Sequence, residues 1–126
     1  MKRQKAGTAP RPTLIEMQLL LSRLDQWRGA WVEIVEQLGP NLGSSDRHST
    51  STGVFRFQLE HAGIRFSGGR LTLAGCAGNH DASYEIAVVD HCTELLLSEA
   101  EIVLVEHLGP NVERRTQLRR LPAETP

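Results

Sequence analysis

The chain has 126 residues, 40% hydrophobic and 5% aromatic, which suits one domain with a mostly aliphatic core. Fourteen Lys and Arg against fifteen Asp and Glu leave a formal charge of −1, which excludes a uniformly basic surface of the kind that coats polyanions. No run approaches the roughly 18–20 apolar residues of a membrane-spanning helix.

The charge is unevenly distributed. Residues 13–113 carry six basic and fourteen acidic side chains, whereas residues 1–12 carry four basic side chains and no acid, and residues 114–126 carry four Arg and one Glu. Residues 1–12, with Pro10 and Pro12, read as a basic disordered arm. The apolar run at 17–21 is too short for a secretory signal and is soon followed by Arg23 and Asp25, so a cytoplasmic protein with free Cys76 and Cys92 is expected.

Thr13 and Glu16 have capping-box spacing. Leu14, Met17, Leu21 and Leu24 then recur on one helical stripe beside Leu20 and Trp27, which predicts an amphipathic helix over 14–28. The same spacing continues through Trp31, Ile34, Val35 and Leu38, so helix is favoured over 31–38, ended by Gly39 and Pro40. The rival there is a strand, supported by Val32, Ile34 and Val35 but weakened because Glu33 and Glu36 fall on opposite faces.

Residues 39–53 read as a loop. Phe55, Phe57 and Leu59 alternate with polar residues as in a half-buried strand. A turn at 61–63, a strand at 64–67, a break at Gly68 and Gly69 and a strand through Leu71 and Leu73 complete an antiparallel meander. A loop is expected over 74–82, then strands at 84–89 and 95–97. Residues 102–105 lean to strand over helix, and after Asn111 a frayed helix or an Arg-rich flexible tail is expected over 114–126. The fold class expected is α+β: an N-terminal amphipathic helix packed on an antiparallel β-sheet or small barrel of four to six strands, with a single domain over 13–113.

One segment echoes another. Residues 35–42 and 105–112 agree at six of eight positions, including Val-Glu, Leu, Gly-Pro and Asn. A shared way of ending an element explains this, since Gly, Pro and Asn are turn residues; a duplicated unit is the alternative.

Chemistry-bearing residues form no coherent constellation. Cys76, His80, Asp81, His91 and Cys92 are the right types for zinc, but they lack a second spaced pair, so no metal or cofactor is expected. Ser44, Ser45, Ser49 and Ser51 near Asp46 and His48 lack a nucleophile elbow. Ser67 to Arg70 reads as a hairpin turn, since it lacks the Lys-Ser/Thr of a phosphate loop. Glu60, His61 and His80 could line a ligand cleft at the sheet end. Arg114, Arg115, Arg119 and Arg120 could bind anions, but the acidic body opposes a polyanion and no aromatics interleave with them. Trp27 and Trp31, four apart and close to Leu24, suggest an interface of an oligomer or with a partner.

Residues 59–68 resemble the first part of the first sequence motif of Sm-like proteins and residues 95–105 are similar to the second, which implies a helix followed by a small barrel and RNA as a partner. The Arg-Gly pair of that family is here Ser98 and Glu99. The function expected is a non-enzymatic cytoplasmic binding or assembly module that works through protein–protein contacts, chiefly with itself as a homo-oligomer. A nucleic-acid binder using the Arg-rich ends is the second reading, a small-ligand protein or enzyme with a cleft at the sheet end is the third, and no membrane partner is expected.

Overall fold

The computed structural model describes residues 12–39, 51–65, 69–89 and 91–122. Among the described residues, a single helix, α1 (Leu14–Gln26), precedes seven antiparallel strands: β1 (Trp31–Gly39), β2 (Ser51–Arg65), β3 (Arg70–Ala77), β4 (His80–Ile86), β5 (Cys92–Leu97), β6 (Glu101–Gly109) and β7 (Val112–Arg120). They form one sheet in the order β4-β3-β2-β1-β7-β6-β5. Two meanders are thus joined by the β1–β7 pair, with β4 and β5 at the two edges. A helix on an antiparallel sheet is the expected architecture, and the seven strands exceed the four to six anticipated.

α1 begins as its sequence predicts. The Thr13 hydroxyl accepts from the Glu16 N–H at 3.1 Å, and the Glu16 carboxylate accepts from the Thr13 N–H at 2.8 Å. Leu20, Leu24 and Trp27 are each at most 1% exposed and pack against the inward side chains of the sheet. Those are Val32 and Ile34 of β1, Phe57 and Leu59 of β2, Leu71 and Leu73 of β3, Ile86 of β4, Ile102 and Leu104 of β6 and Leu118 of β7. At about 1.5–3 kcal/mol for each fully buried side chain, this cluster is the main source of stability.

Residues 31–38 form β1, not the favoured helix. The chain turns at Gly29, whose N–H donates to the Leu59 carbonyl at 2.7 Å, and Ala30 accepts from the Leu59 N–H at 2.9 Å. The two glutamates that spoiled the alternation have separate partners. Glu33 faces outward between its cross-strand neighbours Arg56 and Arg119, at 2.7 Å from each guanidinium. Glu36 points inward. Both β1 and the lean to strand over 102–105 satisfy the β-branched content of their sequences.

The segment 74–82 is likewise not a loop. β3 runs to Ala77, Gly78 turns with φ +67°, and β4 starts at His80 opposite Ala77. Gly75 is enclosed within β3 because an added Cβ would lie 1.8 Å from the Gln58 carbonyl oxygen, beside the register shift between Leu59 and His61. That bulge also joins the strand expected through Phe55, Phe57 and Leu59 to the start of the one expected at 64–67, in place of the turn expected at 61–63; residues 66–67 lie outside the described residues.

The Arg-rich end is a strand, not a flexible tail. β7 lies between β1 and β6, with Thr116 and Leu118 buried inward and Arg115, Gln117 and Arg119 facing out. Residues 1–11, the basic arm apart from Pro12, and the Ser, Asp and His positions from 44 to 49 lie outside the described residues. Among the described residues, no helix is long and apolar enough to cross a membrane.

Candidate functional site

Along β1, β6, β7 and β4 the inward face changes character. Beyond Ile34 comes Glu36, beyond Leu104 comes Glu106, beyond Leu118 come Thr116 and Arg114, and next to Ile86 comes Tyr84. The aliphatic end is covered by α1. The polar end gathers two acids, a base and a phenol on four strands.

The sheet coils so that edge strand β4 meets the inner face of β1, β7 and β6. The Tyr84 hydroxyl donates to Glu36 Oε1 at 2.6 Å and lies 3.2 Å from Thr116 Oγ1. Glu106, 0% exposed, accepts three hydrogen bonds: from Arg114 Nε at 2.7 Å, Arg114 Nη2 at 2.9 Å and the Ala87 N–H at 2.8 Å. Arg114 Nη2 also donates to the Glu85 carbonyl at 2.9 Å. The Glu106–Arg114 pair therefore supplies the β4 edge with the acceptor and donor that a neighbouring strand would otherwise provide. A fork of this kind is the strong geometry for a carboxylate and guanidinium.

The guanidinium of Arg114 sits over the Tyr84 ring, 5.4 Å from its centroid, and the Phe55 ring lies 5.8 Å from Tyr84, tilted by 50°. Burial pushes the Tyr84 hydroxyl well above the usual phenol range, and its bond to Glu36 adds to this, so it remains a donor. Burial works to lower the Arg114 value, but the Glu106 carboxylate outweighs it and the net direction is upward. A cleft of about 610 Å³ opens beside this cluster, with Ser83, Tyr84 and Glu85 on one wall and Glu106, Leu108 and Arg114 on the other.

The expected site residues are scattered over this frame. Leu24 and Trp27 are each 1% exposed and belong to the chain's own core, so they are not free to meet a partner. Trp31 is on β1, not on the helix of Trp27, and lines a second cleft of about 640 Å³ with Gln58 and Arg120. The arginines expected as anion-binding tails belong to the sheet. Arg114 is held by Glu106, Arg119 by Glu33, and Arg115 lies 3.5 Å from the side-chain oxygens of Gln37 and Gln117. Glu60 and His61 sit at the β2 bulge and His80 at the start of β4, and they line neither cleft.

Among the described residues no group of His, Cys, Asp and Glu could hold a metal ion. Cys76 is across the β3–β4 pair from Asp81 and donates to Glu60 Oε2 at 3.1 Å; that bond, with burial and the neighbouring acids, raises its pKa. Cys92 is buried in the core, where burial pushes its thiol up to about 11.

Glu36, Tyr84, Glu106 and Thr116 escaped the sequence reading. The signal available was the echo, which carries Glu36 and Glu106 at matching positions one step beyond an inward apolar pair. No family model, curated protein or solved structure matches this chain.

Proposed function

We propose that the chain is a non-enzymatic cytoplasmic binding module that works through protein–protein contacts, with a second copy of itself as the partner. The observation that carries this reading is the outer face of α1. While Leu20 and Leu24 are buried inward, Leu14, Ile15 and Leu19 are 64%, 69% and 55% exposed. A helix apolar on two sides gains by burying both.

Charge supports a copy of the same helix as the occupant. Glu16 is in the first turn of α1 and Arg23 in the last, so an antiparallel pair about a two-fold axis sets the acidic end of each helix beside the basic end of the other, with Glu16 also capping its own helix and one Arg23 nitrogen buried within the chain. A stable interface buries about 800 Å² per partner. Three side chains fall short of that, so the helix would be its centre and neighbouring sheet its rim.

The test is sedimentation velocity across a range of protein concentrations, with Ile15→Glu and Leu19→Glu beside the wild type. Expected is a concentration-dependent dimer that either substitution dissociates while the fluorescence of buried Trp27 is unchanged. A wild-type protein that stays monomeric at the highest concentration, or variants that dimerise equally well, would refute the reading.

A further inference from the structure

The two hairpins of the echo differ at one register position beside the inward glutamate. Glu106 stands opposite Arg114 on β7, whereas Glu36 stands opposite Gly53 on β2. Glu106 thus holds a guanidinium in a two-bond fork. Glu36, whose side chain is 20% exposed, accepts one hydrogen bond among the described residues, from Tyr84, while Arg114 Nη1 stands off at 3.9 Å.

Among the described residues, no side chain fills beside Glu36 the place that Arg114 fills beside Glu106. A Cβ built on Gly53 meets the Phe55 ring at 3.5 Å and, among the described residues, nothing else within 4 Å. Phe55 is inward-facing yet 44% exposed, so the place is reached from solvent. Among the described residues, two carboxylates thus share one guanidinium, which is forked on Glu106 and only 3.9 Å from Glu36, and a largely buried carboxylate with so distant a counter-ion favours a second cation.

We propose that Glu36 is the anchor of a binding site for a guanidinium group, seated where Gly53 leaves out a side chain and flanked by the Phe55 ring. A guanidinium suits the place better than an ammonium because its planar fork matches a carboxylate and its face stacks on an aromatic ring. The Glu106–Arg114 pair, with Tyr84 beneath the guanidinium, is the chain's own example of that chemistry. The group can come from a free small molecule or from an arginine side chain of a peptide.

The test is a titration of ¹⁵N-labelled protein with methylguanidinium chloride and with N-acetyl-arginine methylamide, against sodium chloride at equal ionic strength. Saturable movement of the Glu36, Gly53 and Phe55 amides is expected with both, and Glu36→Gln should weaken it by about tenfold or more. Clearly tighter binding of the blocked arginine identifies a peptide source, and equal binding a free ligand; either outcome supports the site. Gly53→Arg supplies the group in cis, so it should abolish binding and raise the thermal midpoint. Wild-type shifts that do not saturate by about 100 mM, or that persist in Glu36→Gln, would overturn the proposal.

Discussion

Replacing Arg114 by Met removes the partner of a carboxylate that is 0% exposed. Of the three hydrogen bonds Glu106 accepts, two are lost and the Ala87 N–H remains. Stripping one member from a buried ion pair costs about 3–5 kcal/mol, because the other charge stays buried without compensation. Against a total stability of about 5–15 kcal/mol, that is a large part. Adding Glu106→Gln to Arg114→Met should recover about half of the loss. The Gln carbonyl can still accept from Ala87, and no net charge is left behind; the bond to the Glu85 carbonyl stays broken in both proteins. The assay is urea unfolding followed through Trp27 fluorescence, comparing midpoints at constant slope. An Arg114→Met protein within about 1 kcal/mol of wild type, or a double variant no more stable than the single, would mean that the pair does not close the β4 edge.

Two further substitutions probe the interior. Cys92 is buried and its thiol is raised to about 11, whereas an unfolded thiol titrates near ~8.5. The group therefore contributes fully below the unfolded value and loses its contribution as pH rises through about 11. Wild-type stability should fall by roughly 2–3 kcal/mol over that alkaline range, and Cys92→Val should flatten the decline; an identical decline in both proteins assigns it elsewhere. Gly75→Ala places a methyl group 1.8 Å from the Gln58 carbonyl oxygen, so β2 and β3 must separate at the bulge. A loss of about 3 kcal/mol or more is expected in the same urea assay, and a Gly75→Ala protein as stable as wild type would refute the register there.

The parts of the fold legible in the sequence were those whose burial follows one period. α1 shows its stripe and its capping box, and β2 and β3 show clean alternation through Phe55, Phe57, Leu71 and Leu73. β1 and β7 were obscured because polar residues occupy both of their faces. On β7 the inward positions include Arg114 and Thr116, so the chain reads as a tail until β6 and β1 are placed beside it. The outward arginines look uncompensated for the same reason, since their partners Glu33 and Gln37 lie some eighty residues away in sequence. No local pattern can show a charge balance that forms only when β1 pairs with β7.

The same non-locality bears on the echo. Taken alone, Gly, Pro and Asn after Leu at 39–41 and 109–111 mark two turns, and the β6–β7 turn bears that out at Gly109 and Val112. The glutamate three positions before each glycine needs another account, because no turn requires a carboxylate on the inward face of a strand. Burying one costs several kcal/mol unless it is paired. At Glu106 the pairing is Arg114 and the Ala87 N–H, and it secures the edge of β4. At Glu36 the cross-strand residues are Gly53 and Thr116, and the compensation among the described residues is one phenol and the more distant Arg114, which is already forked on Glu106. A structural role alone explains the first glutamate and leaves the second under-compensated. That asymmetry makes Glu36 the residue whose neutral variant best separates a site from a scaffold: if Glu36→Gln raises stability while it removes guanidinium binding, the charge is kept for a ligand and not for the fold.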